Sequence, residues 1–394
     1  MARGDDDSTL SPGSLALRRF LSDRPAAVSL GFVAVLFLLA VCAPLIANGH
    51  PLFLCGAGGT VSSPALRDFF APDVQEVFVE KIFNYLLLAL IPVLVLLLCL
   101  RRASRRVRTF FLIFLLILLA VPFFAVGRRS DSTDYRALAA SGRVTAVFAP
   151  VPFGPAETSS RVYEKPSREH WLGTDQSGRD VFARMLYGSR ISLAVGFLAS
   201  GISLVLGTAV GLMSGYLGGK TDLIVQRIVE VVICFPTFLL LLILMAIMLD
   251  YGSRQSVLLV ILVLGCTGWP GLARLVRGET LKQRQMQYIQ ACEGLGVPFR
   301  RILFVHLLPN VSGPIFAAFA FDVAGFILAE NSLSFLGFGV QIPTASWGEL
   351  LRQALEDPLA YWNLMLWPGL AVFLCVCSFH FIADGLRRTI DLKE

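Results

Sequence analysis

Charge is what this 394-residue chain has least of: 16% of its residues are Asp, Glu, Lys or Arg, where soluble domains carry roughly a quarter. Apolar residues make up 55%. So few charges cannot cover a water-facing surface, and the surface is expected to face lipid. Histidine is scarce as well. His50, His170, His306 and His380 are scattered, and no His-Glu zinc motif is present. A Ser nucleophile elbow and a dinucleotide fingerprint are missing too. No catalytic residue is expected.

A disulfide framework is also lacking. Cys42, Cys99, Cys234, Cys266, Cys375 and Cys377 lie in apolar runs, Cys292 lies in a polar stretch, and Cys55 stands alone in a loop. Cys375 and Cys377, two residues apart, point to opposite sides of a helix, which is not metal-ligand spacing. Reduced, buried cysteines and no metal site are the expectation. The stretch SGYLGGKTD at 214–222 ends like a phosphate loop in Gly219-Lys220-Thr221, but Ser214 occupies the position of the required first glycine. It also follows an apolar run rather than a strand. A turn between spans is expected there, with no cofactor or nucleotide in this chain.

What the sequence has in quantity is long apolar runs. Those at 26–47, 83–100, 110–127, 191–217, 223–249, 257–273, 312–337 and 363–385 approach or reach the length that crosses a hydrocarbon core of about 30 Å. The first is too long for a signal-peptide core, and Arg18-Arg19-Phe20-Leu21 lacks twin-arginine spacing, so 26–47 reads as a retained anchor. Pro236 is expected to kink the run 223–249. Arg227 and Glu230, near the start of that run, fall at an interface.

Basic residues orient the chain. The segment RRASRRVR at 101–108 holds five arginines, and the segments 1–25, 274–311 and 386–394 hold four, six and three basic residues. The short alternating segments 48–82, 250–256 and 338–362 hold two, one and one. Lys and Arg collect on the cytoplasmic side, so both termini are expected inside. The segment 128–190 is long enough to escape that rule and reads as a folded extracytoplasmic piece. Its end, 170–190, mixes Arg179, Asp180, Arg184 and Arg190 with Trp171, Phe182 and Tyr187, which suits a helix at the outer surface. The expected layout is a tail 1–25, a span 26–47, an outer loop 48–82, a helical hairpin 83–127 with its Arg-rich turn at 101–109, the outer segment 128–190, a core 191–385 with an inner loop 274–311, and a tail 386–394.

The inner loop is the chemically informative part. Leu281, Tyr288, Cys292 and Leu295 recur at helical spacing, with Lys282, Gln283, Arg284, Gln287, Gln290 and Glu293 on the other face. Gly294 and Gly296 suit a helix end, and Pro298 the first turn of another. Phe299, Ile302, Leu303 and His306 form the apolar stripe of this second helix, and Pro309 is expected to stop it before the next span. A short helix pair at a glycine hinge either lies on the membrane surface or offers its polar face to a partner.

Here the sequence resembles a family. Gln290-Ala291-Cys292, three residues, Gly296, nine residues, His306, then Leu308-Pro309 is similar to the E-A-A-x3-G-x9-I-x-L-P loop of ABC importer permeases. Three letters depart from it: Gln290 for Glu, Cys292 for Ala and His306 for Ile. The stretches HWLGTDQSGRDVFARMLYGSRISLAVG at 170–196 and LSFLGFGVQIPTASWGELL at 333–351 resemble the C-type dipeptide and oligopeptide permeases.

The resemblance implies an all-α, polytopic type I ABC importer transmembrane domain. It would have six core spans, with two extra spans in the N-terminal half, in a bacterial inner membrane. It implies peptide transport, a second homologous permease subunit, two ATP-binding subunits that hold ATP and Mg, and an extracytoplasmic solute-binding protein. It gives Tyr288, Gln290, Ala291, Cys292, Gly296, His306, Leu308 and Pro309 to the ATPase-coupling loop. Gln290 keeps the shape of a glutamate and drops its charge, so altered affinity for the ATPase is expected rather than lost docking. No nucleic-acid partner is implied; membrane lipid is, with the arginines of 101–108 facing its headgroups.

Asp322 and Glu330, in the run 312–337, are costly in lipid and line a candidate translocation pathway or hold the bundle together. Their spacing puts them about 12 Å apart along a helix and roughly 80° apart around it. An ion-coupled secondary transporter is the alternative, though no repeat relates 1–190 to 191–394. A receptor would need a larger inner domain. Nickel or another non-peptide solute stays open as cargo.

Overall fold

A computed structural model describes residues 12–56, 61–70, 72, 76–126, 133, 135–140, 144–250 and 257–391. In chain order the elements are α1 (Pro12–Ser22), α2 (Arg24–Val41), α3 (Ala43–Ile46), β1 (Phe53–Gly56), β2 (Val61–Ser62), α4 (Pro64–Phe70), α5 (Val77–Cys99), α6 (Arg105–Ala125), α7 (Tyr135–Ala140) and β3 (Val144–Val147). They continue with α8 (Val181–Leu217), α9 (Gly219–Cys234), α10 (Thr237–Asp250), α11 (Val257–Arg284), α12 (Gln287–Gly294), α13 (Phe299–Arg301), a π-turn (Ile302–Leu307), α14 (Leu308–Phe335), α15 (Trp347–Gln353) and α16 (Trp362–Asp391). Among the described residues seven helical stretches are long and apolar enough to cross a membrane, or eight if the bent pair α9 and α10 counts as one span.

That bent pair is more than kinked. Its two helices meet at 78°. Phe235 is extended (φ −79°, ψ 131°) because the ring of Pro236 disfavours a helical residue before it. Arg227 and Glu230 form an ion pair of 2.6 Å on the exposed face of α9.

The chain divides into two compact units. The first holds the residues up to Val35, Leu193–Gly339 and those from Leu370. Within it α8 approaches α11 closely at Gly207, Gly211 and Gly215, which stand at four-residue spacing. A Cβ on Gly211 would stand 2.6 Å from the Ala273 carbonyl oxygen, and one on Gly215 would stand 2.9 Å from that of Arg277. Only a small-residue stripe lets two helix backbones approach so closely in lipid.

The second unit holds Leu36–Ser192 and Val340–Gly369. It contains an antiparallel sheet of order β2-β1-β3, with Leu54 opposite both Ser62 and Ala146. It also contains the hairpin of α5 and α6, whose exposed surfaces are dominated by apolar residues such as Ile91, Leu94, Phe110 and Ile117. Lys81 donates to the Val126 carbonyl and Tyr85 Oη to that of Leu116 at 2.7 Å, tying the hairpin's two helices together.

The segment 170–190 is not a helix lying on a surface. Residues 170–180 are turns closed by a bridge between Thr174 and Asp180, and α8 starts at Val181. Asp180 caps it, accepting from Ala183 N at 2.8 Å. Arg179, Asp180, Arg184 and Arg190 are all buried. Arg184 reaches Glu349 at 2.6 Å and Asp175 at 3.3 Å, and donates to the carbonyls of Pro155 and Pro343. Arg190 pairs with Glu80, donates to Asn84 at 2.9 Å and also to the carbonyls of Ala40 and Val41. A pattern of charges among aromatics looks like a wet surface in sequence. Here every charge has a partner: Arg179 and Asp180 find theirs nearby in Asp175 and His170, and Arg184 and Arg190 far along the chain.

Candidate functional site

The loop 285–310 begins where α11 runs out. Gln285 N and Met286 N bond back to the carbonyls of Lys282 and Gln283 at 3.3 and 3.0 Å, and Met286 turns extended (φ −74°, ψ 144°) before α12. This break shifts the helical phase. The stripe drawn through Leu281, Tyr288, Cys292 and Leu295 therefore does not hold: Leu295 is 81% exposed and Tyr288 half-exposed. The buried anchor is Ile289, which sits in one apolar cluster with Leu212, Leu272, Val276, Ile302, Leu303 and Leu307, with Cys292 and Val297 packed against it.

A glycine-dependent cap ends α12. Gly296 N donates to the Glu293 carbonyl and Val297 N to that of Cys292, both at 3.0 Å, while Gly296 takes φ +72°. This is the Schellman arrangement, and its left-handed residue strains any side chain. The chain then restarts at Pro298, extended (φ −61°, ψ 140°), ahead of α13.

Pro309 does not stop that second helix. α13, the π-turn and α14 run on as one helical stretch, Phe299–Phe335. The wider π-turn over Ile302–Leu307 comes just ahead of Pro309, whose ring and missing N–H could not fit a regular α-turn.

The eight loop residues fall into three sets. Tyr288, His306 and Pro309 lie around Asn310: its Nδ2 donates to Tyr288 Oη at 3.2 Å and to the His306 carbonyl at 2.6 Å. Tyr288 Oη also donates to Gln283 Oε1 at 2.8 Å, closing the loop's two ends on each other. Burial raises the Tyr288 phenol above its usual range, against the opposing pull of Asn310. Leu308 packs against the apolar cluster beside Cys292. Gln290, Ala291 and Gly296 are exposed and form a knuckle with Glu293, Leu295, Phe299, Arg300 and Arg301. Gln290 spends its side-chain amide on the Gln285 carbonyl at 3.3 Å.

Sequence reasoning missed the brace beneath this knuckle. Arg277 on α11 grips Asp222 on α9 with two bonds of 2.6 Å, and Ser214 on α8 donates to the same carboxylate. The Tyr216 ring lies 5.3 Å from that of Phe299, and the Arg284 guanidinium lies 5.7 Å from the Tyr216 centroid. The signal available was the glycine spacing at 207, 211 and 215, which predicts the α8–α11 approach that brings these groups together. The GGKT stretch turns from α8 at Gly218 and opens α9, with Gly218 and Gly219 at φ +64° and +56°.

The two intramembrane carboxylates differ. Glu330 is 0% exposed and accepts from Ser334 Oγ at 2.9 Å. A Cβ on Gly339 would stand 2.3 Å from that hydroxyl, so the pair sits inside the tight turn closing α14. Asp322 lines a cavity of about 460 Å³. Its Oδ2 is buried without a hydrogen-bond partner among the described residues. The structure does not bring the two onto one wall.

Comparison with known proteins supplies the family. Residues 207–393 match the model of binding-protein-dependent transport system inner membrane components, and residues 11–53 match the N-terminal TM domain of oligopeptide transport permease C. The oligopeptide transport system permease protein OppC of Haemophilus influenzae is 40% identical over 226 residues, 57% of this chain and 71% of that one. The chain belongs to this permease family. The glutathione transport system permease protein GsiD of Pectobacterium atrosepticum is 40% identical over 59% of this chain and 76% of its own. The dipeptide transport system permease protein DppC of Bacillus subtilis is 40% identical over 58% and 70%. Residues 54–206 fall outside both family models. They include the hairpin of α5 and α6, together with most of the buried-ion network of the second unit.

Proposed function

We propose that this permease forms the passage for peptides in an ATP-driven importer of a bacterial inner membrane, with both termini cytoplasmic. Three relatives at 40% identity are named for oligopeptides, glutathione and a dipeptide, and all three cargoes are peptidic. The chain works beside a second permease subunit and two ATP-binding subunits that hold ATP and Mg, and a binding protein delivers the solute. It holds no nucleotide itself. A GGKT stretch between two helices, rather than between a strand and a helix, supports that reading.

The observation that carries the proposal is the knuckle at 287–301. Its apolar side is buried by Ile289, Ile302 and Leu303, while Gln290, Ala291 and Leu295 stay exposed for an ATPase subunit to grip.

Gly296→Pro tests the coupling. Proline fixes φ near −65° where the chain needs +72°, so the cap must open. The complex purified with its co-expressed partners is expected to hydrolyse ATP faster when peptide-loaded binding protein is added. With Gly296→Pro that stimulation and peptide uptake are expected to disappear while basal hydrolysis continues. Normal uptake by this variant would sink the coupling role.

A further inference from the structure

The cavity at Asp322 lies within the first unit and is walled by α11, α14 and α16. Gly271 and Glu279 line it on α11, Pro314 and Asp322 on α14. Each pair is eight residues apart, so the cavity follows the helices for about 12 Å. One end carries charge from Glu279 and from Arg387, near the end of α16. That is the end nearest the loop, because α11 finishes at Arg284 and α14 starts at Leu308. The walls between are apolar, with Leu275 and Ala318 among them. At the far end stands the Asp322 carboxyl. Near it is Ser203, fully buried on α8, whose hydroxyl also has no hydrogen-bond partner among the described residues.

A buried carboxylate oxygen without a donor is costly, and more so between apolar walls. Inside a membrane such a group faces a cavity or a partner. Among the described residues no three His, Cys, Asp or Glu side chains come together as metal ligands would. Here the acceptors at the far end are one carboxylate and one hydroxyl. An ammonium group brings three N–H donors and no acceptor, which suits both. The volume lies in the range of small-molecule pockets.

We infer that this vestibule receives a primary ammonium group at Asp322, supplied by the amino terminus of the carried peptide. The source rests on the peptide reading given above; the ammonium site does not. Apolar walls then accept the side chain next to the amino group, and release follows toward the Glu279 and Arg387 end.

The test places a thiol in the wall with Ala318→Cys, in the full complex in proteoliposomes, with the unsubstituted complex as background for its native cysteines. The cationic aminoethyl methanethiosulfonate is expected to react about tenfold faster than the anionic sulfonatoethyl reagent, the scale by which a one-signed cleft concentrates counter-ions. Adding Asp322→Asn should bring the ratio to about one, and Asp322→Glu should keep it. A free-amine peptide should protect the thiol, and its N-acetylated form should not. Equal reactivity of the two reagents, or a ratio untouched by Asp322→Asn, would overturn the site. Protection that needs phosphatidylethanolamine vesicles and ignores peptide would keep the ammonium chemistry and overturn the peptide as its source. A complex that keeps the cation preference but takes up no peptide would sink the peptide reading alone.

Discussion

The segment 170–190 and the loop 285–310 both carry several charges, and they treat them in opposite ways. In the first, Arg179, Arg184 and Arg190 are buried and met by Asp175, Glu349 and Glu80. In the second, Glu293, Arg300 and Arg301 stay exposed, and burial falls to Ile289, Ile302 and Leu303. The first arrangement holds its own unit together, since each charge would be ruinous alone. The second keeps its charges on the surface and is held in place by grease. Removing a charge should therefore be a folding event in one region and a binding event in the other.

The sharpest way to break that contrast is Arg184→Ala. It leaves Glu349 without its cation in the interior and is expected to cost about 3–5 kcal/mol, read as a large fall in the melting temperature of the purified complex and in its yield. Gly211→Leu follows. It pushes a side chain into the Ala273 carbonyl, 2.6 Å from the added Cβ. The expected loss is about 1–3 kcal/mol, and it should weaken ATPase coupling too, because α11 carries the loop. Leu295→Asp is expected to leave melting unchanged and to weaken binding of the ATPase subunit about tenfold, the scale of a single interface residue. Titration of that subunit onto permease in nanodiscs would measure it. Gln290→Glu is the smallest step: an exposed charge worth about 0–1 kcal/mol, seen as less than about a fivefold change in the same titration. A fall in melting temperature with Leu295→Asp, or none with Arg184→Ala, would dissolve the contrast.

Much of the fold was legible because lipid imposes a simple code. Apolar runs long enough to span a membrane stand out at 83–100 and 110–127, where α5 and α6 lie. The glycine cap at 294–296 was legible because a positive φ selects residue type. What failed to show was phase and partnership. The two-residue break at Gln285–Met286 moved the buried position from Leu295 to Ile289, and no periodicity rule sees such a slip. Arg184 looked exposed because Glu349 lies 165 positions away. Pro236 announced a kink, but the extended Phe235 beside it widened this to a break. Asp322 and Glu330 both read in sequence as candidates for one pathway. What separates them is a nearby Ser334 for one and a cavity for the other.

The unbroken helix from Phe299 to Phe335 has a mechanical corollary. Phe299 belongs to the knuckle and Asp322 to the membrane interior, yet one helix carries both, with roughly 35 Å of rise between them. A tug applied at the grip end travels down a single lever whose looser-wound π-turn, Ile302–Leu307, sits next to the hand that pulls. Under the proposed docking, rotation there would turn the Asp322 carboxyl about the same axis, with no hinge needed between the two ends.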